Sequence, residues 1–171
     1  MHYKKSLIRF AIVFTTCAVI ILGSSPLNPA KCAEQVYDIT PCVAATMTVL
    51  VQSPEISIFS LDAKGIIRSN IESKIFDNCT VHVQGTQVIE GTNRTVNAYL
   101  KYLDPDGDYV IFRFTQNPGE TTATTTILAG TGKWKGITGG GKATTITQGR
   151  PVASGTLQFC NNHKGKFTLP K

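Results

Sequence analysis

Carboxylates, cysteines and histidines are the residues of this chain with enough chemistry to nominate a site. Asp77 and Glu90 flank Thr80 to Ile89, its longest strand-like segment. A carboxyl group projecting from a strand end into a cavity mouth works as a general acid or base once burial raises its pKa; the ordinary place for such a charge is a solvated loop. Cys79 is the third catalytic candidate, set against the usual roles of a small buried apolar residue or half of a disulfide. His82 and His163 are the histidines beyond the opening segment. Alternation puts Cys79, Val81 and Val83 on one face and His82 on the other, toward solvent. His163 sits in Cys160-Asn161-Asn162-His163-Lys164-Gly165, a composition that reads as an exposed hairpin turn. There is no GxSxG, no CxxC and no Cys/His pair at zinc spacing, so neither a serine nucleophile elbow nor a metal site is expected. The run Gly130 to Gly141 lacks both a GKS/GKT ending and a following helix, so no nucleotide cofactor is expected either. Asp104-Pro105-Asp106-Gly107-Asp108 resembles part of a calcium loop, but it lacks the later bidentate glutamate and reads as a tight turn.

The elements that must position these groups are strands. From Thr46 onward the chain is a series of short alternating segments rich in Thr, Val, Ile and aromatics, punctuated by Gly, Pro, Asn and Asp. They run Thr46 to Val51, Glu55 to Leu61, Thr80 to Ile89, Thr95 to Leu103, Tyr109 to Phe114, Thr121 to Ala129, Lys142 to Gln148, Ser154 to Cys160 and Lys166 to Leu169. Residues 61 to 75 fit either a turn of helix or a loose strand. Polar outer faces and unprotected edges call for closure, hence an all-β fold, a small closed antiparallel barrel of about eight strands, with a two-sheet sandwich as the alternative. The inward set is Val81, Val83, Val96, Leu100, Tyr102, Phe112, Phe114, Trp134, Ile146, Leu157 and Phe159. Within it Tyr102, Phe112 and Trp134 are the ligand-binding candidates, since aromatic rings supply large apolar contact with a polar handle.

Charge and targeting bound the partners. The chain has 17 Lys and Arg against 11 Asp and Glu. Lys4, Lys5, Arg9 and Lys31 fall in the first 33 residues, which leaves 13 against 11, a net of +2 with no basic cluster. No nucleic-acid partner is expected from so scattered a distribution. The opening HYKKSLIR, the apolar run Phe10 to Gly23 and the small residues that follow have the order of a secretory signal. The apolar run is shorter than the roughly 20 residues of a membrane-spanning helix. Residues 1–33 therefore read as a signal peptide and 34–171 as one barrel domain, secreted or periplasmic, with no stable membrane span after signal removal. In an oxidising compartment a disulfide is expected among Cys32, Cys42, Cys79 and Cys160, in a pairing that spacing leaves open.

The segment Gly130-Thr131-Gly132-Lys133-Trp134-Lys135-Gly136 resembles the glycine-bracketed G-T-G-x-aromatic-x-G string of the allene oxide cyclase-like and dirigent-like barrel superfamily. FDNCTVHVQGT and DPDGDYVIF precede it in the order of exported bacterial members. The resemblance covers about residues 71 to 160. It implies an eight-stranded barrel with a central cavity, often a homotrimer; plant members cyclise a fatty-acid epoxide or steer phenolic radical coupling. No cyclase site residue aligns onto this chain. The functional expectation is an exported barrel holding a small apolar or oxygenated ligand in its cavity. The alternatives are a cyclase or isomerase, and a structural barrel with a filled core.

Overall fold

The computed structural model describes residues 33–170. The segment read as a signal peptide, up to and including Cys32, lies outside the described residues. The chain runs up and down as β1 (Gln35–Gln52), β2 (Ile56–Ser69), β3 (Thr80–Glu90), β4 (Asn93–Leu103), β5 (Tyr109–Gln116), β6 (Thr122–Gly130), β7 (Thr138–Gln148) and β8 (Thr156–Thr168). Each strand pairs antiparallel with the next and β8 returns to β1, closing the barrel and leaving no free sheet edge. The period-two pattern sets the faces. On β4, Val96, Ala98, Leu100 and Tyr102 are buried while Asn97, Tyr99, Lys101 and Leu103 face out. Val81 and Val83 of β3 and Val110 and Phe112 of β5 complete that wall.

Two expectations from the sequence are corrected and one open choice is settled. The turn expected around His163 does not exist, because Thr156–Thr168 is one continuous strand, and His163 lies on its inner face at 2% exposure. Ile146 is not core; it sits at a bulge where Thr145 pairs with Asn161 and Thr147 with Cys160, and it is 56% exposed. Trp134 stands on a 3-10 turn, Gly132–Trp134. The undecided stretch after Leu61 continues β2 to Ser69 before it turns.

The two ends of the barrel differ. One is closed by the β2–β3 loop, the Asp104 to Asp108 turn and the Thr131 to Ile137 connection. Phe76 is the plug, 2% exposed and within 6.0 Å of the ring centroids of Tyr37, Tyr102, Phe112, Trp134 and Phe167. Lys133 locks two of the connections together: its Nζ reaches Asp104 Oδ2 and Asp106 Oδ2 at 2.8 Å each, and its backbone N–H donates to Asp108 Oδ2 at 3.0 Å. The three carboxylates thus serve a lysine, and among the described residues no cluster suited to a metal ion forms. Gly132 has φ +48°, and a Cβ there would run into the Asp108 carboxylate, so the glycine string is shaped by this clamp. At the β1–β8 seam, Cys42 and Cys160 stand opposite each other and form the expected disulfide. Cys79 is a buried free thiol.

Candidate functional site

At the other end the hairpin connections stay short and peripheral, and the interior opens into a cavity of about 70 Å³. One water needs about 10–15 Å³ by this measure, so there is room for several waters or a slender small molecule. The walls are apolar: Val43 from β1, Leu61 from β2, Val83 from β3, Val96 and Leu100 from β4, Phe114 from β5, and Leu157 and Phe159 from β8. Gln116 and Gln148 stand with Arg94 among the lining residues toward the strand ends. Arg94 extends the inward stripe of β4 and is exposed at the mouth, yet enclosed enough that burial lowers its guanidinium below the ordinary arginine pKa.

Polar chemistry concentrates at the inner end. Asn161 and His163 are two residues apart on β8, so both side chains enter the barrel. The Tyr102 hydroxyl lies 2.7 Å from His163 Nδ1 with no other partner among the described residues; donation from the hydroxyl is the favoured direction, because the reverse would leave the buried Tyr102 proton without an acceptor. The imidazole proton is then on Nε2. Among the described residues neither His163 Nε2 nor Asn161 Oδ1 has a hydrogen-bond partner, although both atoms are buried. Both residues line the cavity, so one N–H donor and one carbonyl acceptor stand unpaired at its inner end.

Titration behaviour follows from burial. His163 is pushed down to about 4 by desolvation, so the imidazole is neutral at ordinary pH. The rings packed near it are Tyr102 and Phe114, with no carboxylate to favour the charged form. Burial also raises the hydroxyl of Tyr102 well above the usual phenol value. The Cys79 thiol is pushed up to about 12, first by burial and then by the nearby Asp104.

A folded-state pKa near 4 against about 6.5 in the unfolded chain means that the unfolded state takes up the proton first as pH falls. The stability contributed by neutral His163 is complete above pH 6.5 and is lost progressively down to pH 4. It amounts to about 3 kcal/mol. Chemical denaturation at pH 7.0 and 4.5 should show most of that loss. A Tyr102→Phe/His163→Phe double variant, which removes the titrating group and its partner together, should lose far less. Equal losses in the two proteins would show that His163 is already charged in the fold.

The candidates read from the sequence fall at several levels. Asp77 belongs to the closed end, where its carboxylate accepts the Ser69 N–H at 2.8 Å and Arg68 Nε at 3.2 Å; the Ser69 hydrogen bond is the main cause of its lowered pKa. Glu90 ends β3 on the exposed rim. Cys79 is buried beside the plug loop. None of the three lines the cavity. Tyr102 and Phe112 stack beneath its floor with centroids 4.6 Å apart, and Trp134 lies deeper, against Phe76 at 5.0 Å. Only Tyr102 of these reaches the cavity chemistry, through His163. Arg94, Asn161 and His163 were not singled out as site residues in the sequence. The signal that finds the latter two is the unbroken alternation Leu157, Phe159, Asn161, His163, Gly165, Phe167.

No family model matches the chain, and no curated protein matches it in sequence. Solved structures do match in shape. The pterocarpan synthase dirigent protein GePTS1 superposes with a TM-score of 0.52 at 12% identity, over 85% of this chain and 98% of that one. The pterocarpan synthase dirigent protein PsPTS1 gives 0.50 at 12% identity, over 80% and 97%. Identity this low speaks for the fold alone: this chain shares with those two dirigent proteins the architecture of its closed eight-stranded antiparallel barrel.

Proposed function

We propose that the protein is an exported, non-enzymatic barrel that holds one small molecule with an apolar body and a hydroxyl group. The observation that carries this reading is the pair of buried atoms without partners among the described residues, His163 Nε2 and Asn161 Oδ1, at the inner end of a cavity with apolar walls. Leaving such atoms unpaired costs about 1–3 kcal/mol each. One hydroxyl group answers both, accepting from the His163 N–H and donating to the Asn161 carbonyl; an ether can only accept, and a hydrocarbon does neither. The setting favours holding over reacting. The imidazole is neutral, Tyr102 and Cys79 keep their protons, and Asp77 and Glu90 lie outside the cavity.

Export to an oxidising compartment is supported by the Cys42–Cys160 disulfide as well as by the charged-then-apolar opening. Assembly as a homotrimer, implied by the family resemblance, is supported by the exposed Val49, Leu50 and Val51 on the outer end of β1, apolar surface that a second copy would cover.

Calorimetric titration with matched probes tests the ligand reading. Para-propylphenol should bind at least about tenfold tighter than para-propylanisole, and octanol than heptyl methyl ether. Asn161→Leu and His163→Phe should erase the difference. Equal affinity within each pair, or no binding by any of the four, would overturn the proposal.

A further inference from the structure

The cavity has a second polar feature, separate from its floor. Among the described residues that line it, Arg94 is the one charged group, and no carboxylate faces in. Arg94 makes no ion pair among the described residues. Glu90, next to Arg94's cross-strand partner Ile89, is exposed on the opposite face of β3 from Val81 and Val83, while Glu55 accepts from Ser53 Oγ at 2.9 Å and Glu120 from the Asn117 backbone and side chain at 3.3 Å. The flanking Gln116 and Gln148 are neutral. With His163 uncharged, the cavity carries a net positive charge at its mouth, a protic pair at its floor and hydrocarbon between.

We propose that the occupant is a hydroxylated monocarboxylate, lying along the barrel axis with its carboxylate on Arg94 and its hydroxyl between His163 and Asn161. This inference rests on the hydroxyl-binding reading above and adds the anionic end. A planar guanidinium favours a carboxylate through paired N–H donors, and partial desolvation strengthens the contact.

The required length follows from the strand register. The His163 ring lies 6.3 Å from that of Phe114, which pairs with Ala98, and Arg94 is four residues further up β4. Four residues span about 13 Å along a strand, or roughly 10 Å along the axis at the usual barrel tilt. An extended chain of about eight carbons between carboxylate and hydroxyl covers that distance. A para-hydroxyphenyl ring with a short alkanoate tail covers much of it.

Both bodies are testable with commercial probes, ω-hydroxyoctanoate and para-hydroxyphenylbutanoate, each paired with its methyl ester. Titration of the full mature protein at pH 7 should show each acid binding about tenfold tighter than its ester. The preference should shrink as ionic strength rises. Arg94→Gln should bring the acids down to the ester level without changing ester affinity, and Arg94→Lys should retain most of the preference; thermal melts check that both variants stay folded. Equal binding of acid and ester by the unaltered protein, or an undiminished acid preference in folded Arg94→Gln, would overturn the inference while leaving the hydroxyl-binding reading in place. Failure of acids and esters alike would remove both. If only the aliphatic or only the aromatic pair shows the preference, the inference stands and the body of the ligand is assigned.

Discussion

Phe76→Ala is expected to destabilise the barrel by about 3–5 kcal/mol, a large share of the 5–15 kcal/mol that holds a typical domain together. The ring is 2% exposed and meets five other aromatic rings, four contributed by strands from around the barrel wall and the fifth by the 3-10 turn. Edge-on and tilted ring pairs add to the area term, and the site cannot collapse because its walls are hydrogen-bonded strands. Backbone strain does not offset the loss. Phe76 has φ +57°, between Lys74 at +54° and Asn78 at +58°, and alanine in the same place keeps that cost without the buried ring. Urea denaturation should show the full effect for alanine and about half of it or less for Phe76→Leu, which refills part of the space. A change under 1 kcal/mol for alanine would mean that the loop does not plug the barrel in solution.

Phe76 also shows where the sequence stopped being informative. Strands announce themselves by alternation, and β3 to β6 are legible because each carries a clean inward stripe, as Val96, Ala98, Leu100 and Tyr102 do. A loop that folds back into the barrel has no period. In IESKIFDNC nothing marks Phe76 as the buried member, since its placement depends on three left-handed residues that are not glycine. The glycine string was readable for the opposite reason: Gly132 sits where a side chain would strike Asp108, so composition there reports geometry directly.

The candidate site was hidden by composition rather than by missing period. Asn161-Asn162-His163-Lys164-Gly165 has the residues of a turn, and turn preference is a statement about local backbone freedom. Here pairing on both sides overrides it: β1 holds Asp38 to Lys164 and Ile39 to His163, and β7 holds Ala143 to His163 and Thr144 to Asn162. Alternation still ran through the segment, and giving it precedence would have put Asn161 and His163 inside. Asp77 and Glu90 drew attention for the converse reason, as carboxylates at strand ends, and strand ends of a closed barrel are mostly rim. Ile146 failed because its apolar side chain outweighed the alternation: Ala143 and Thr145 face inward, which puts Ile146 outside, and the bulge shifts parity only beyond it, bringing Gln148 in.

Reduction of the Cys42–Cys160 disulfide is expected to rival the loss of the plug. The bond joins residues 118 apart in sequence across the β1–β8 seam, the one strand pair whose members lie at opposite ends of the barrel domain. By the chain-entropy relation, cross-linking a loop of that length removes close to 5 kcal/mol of freedom from the unfolded ensemble, and loss of a native bridge in small exported domains costs about 2–5 kcal/mol. For a domain of this size the melting temperature should fall by roughly 10–15 °C under a reductant. A Cys42→Ala/Cys160→Ala variant should melt at the lower temperature whether or not reductant is present, which separates loss of the bridge from any other effect of the reagent. Cys79 does not confuse the experiment. Its thiol is buried and its pKa is pushed up to about 12, so it has almost no thiolate at pH 8 to exchange with the bridge or to react with an alkylating agent while the barrel is folded. Mass analysis after alkylation of the native, non-reduced protein should therefore find no modified cysteine among these three. Reduced and oxidised forms melting within 2 °C of each other would show that the seam is held by strand pairing alone. The unfolded chain would then gain little freedom when the bond is broken.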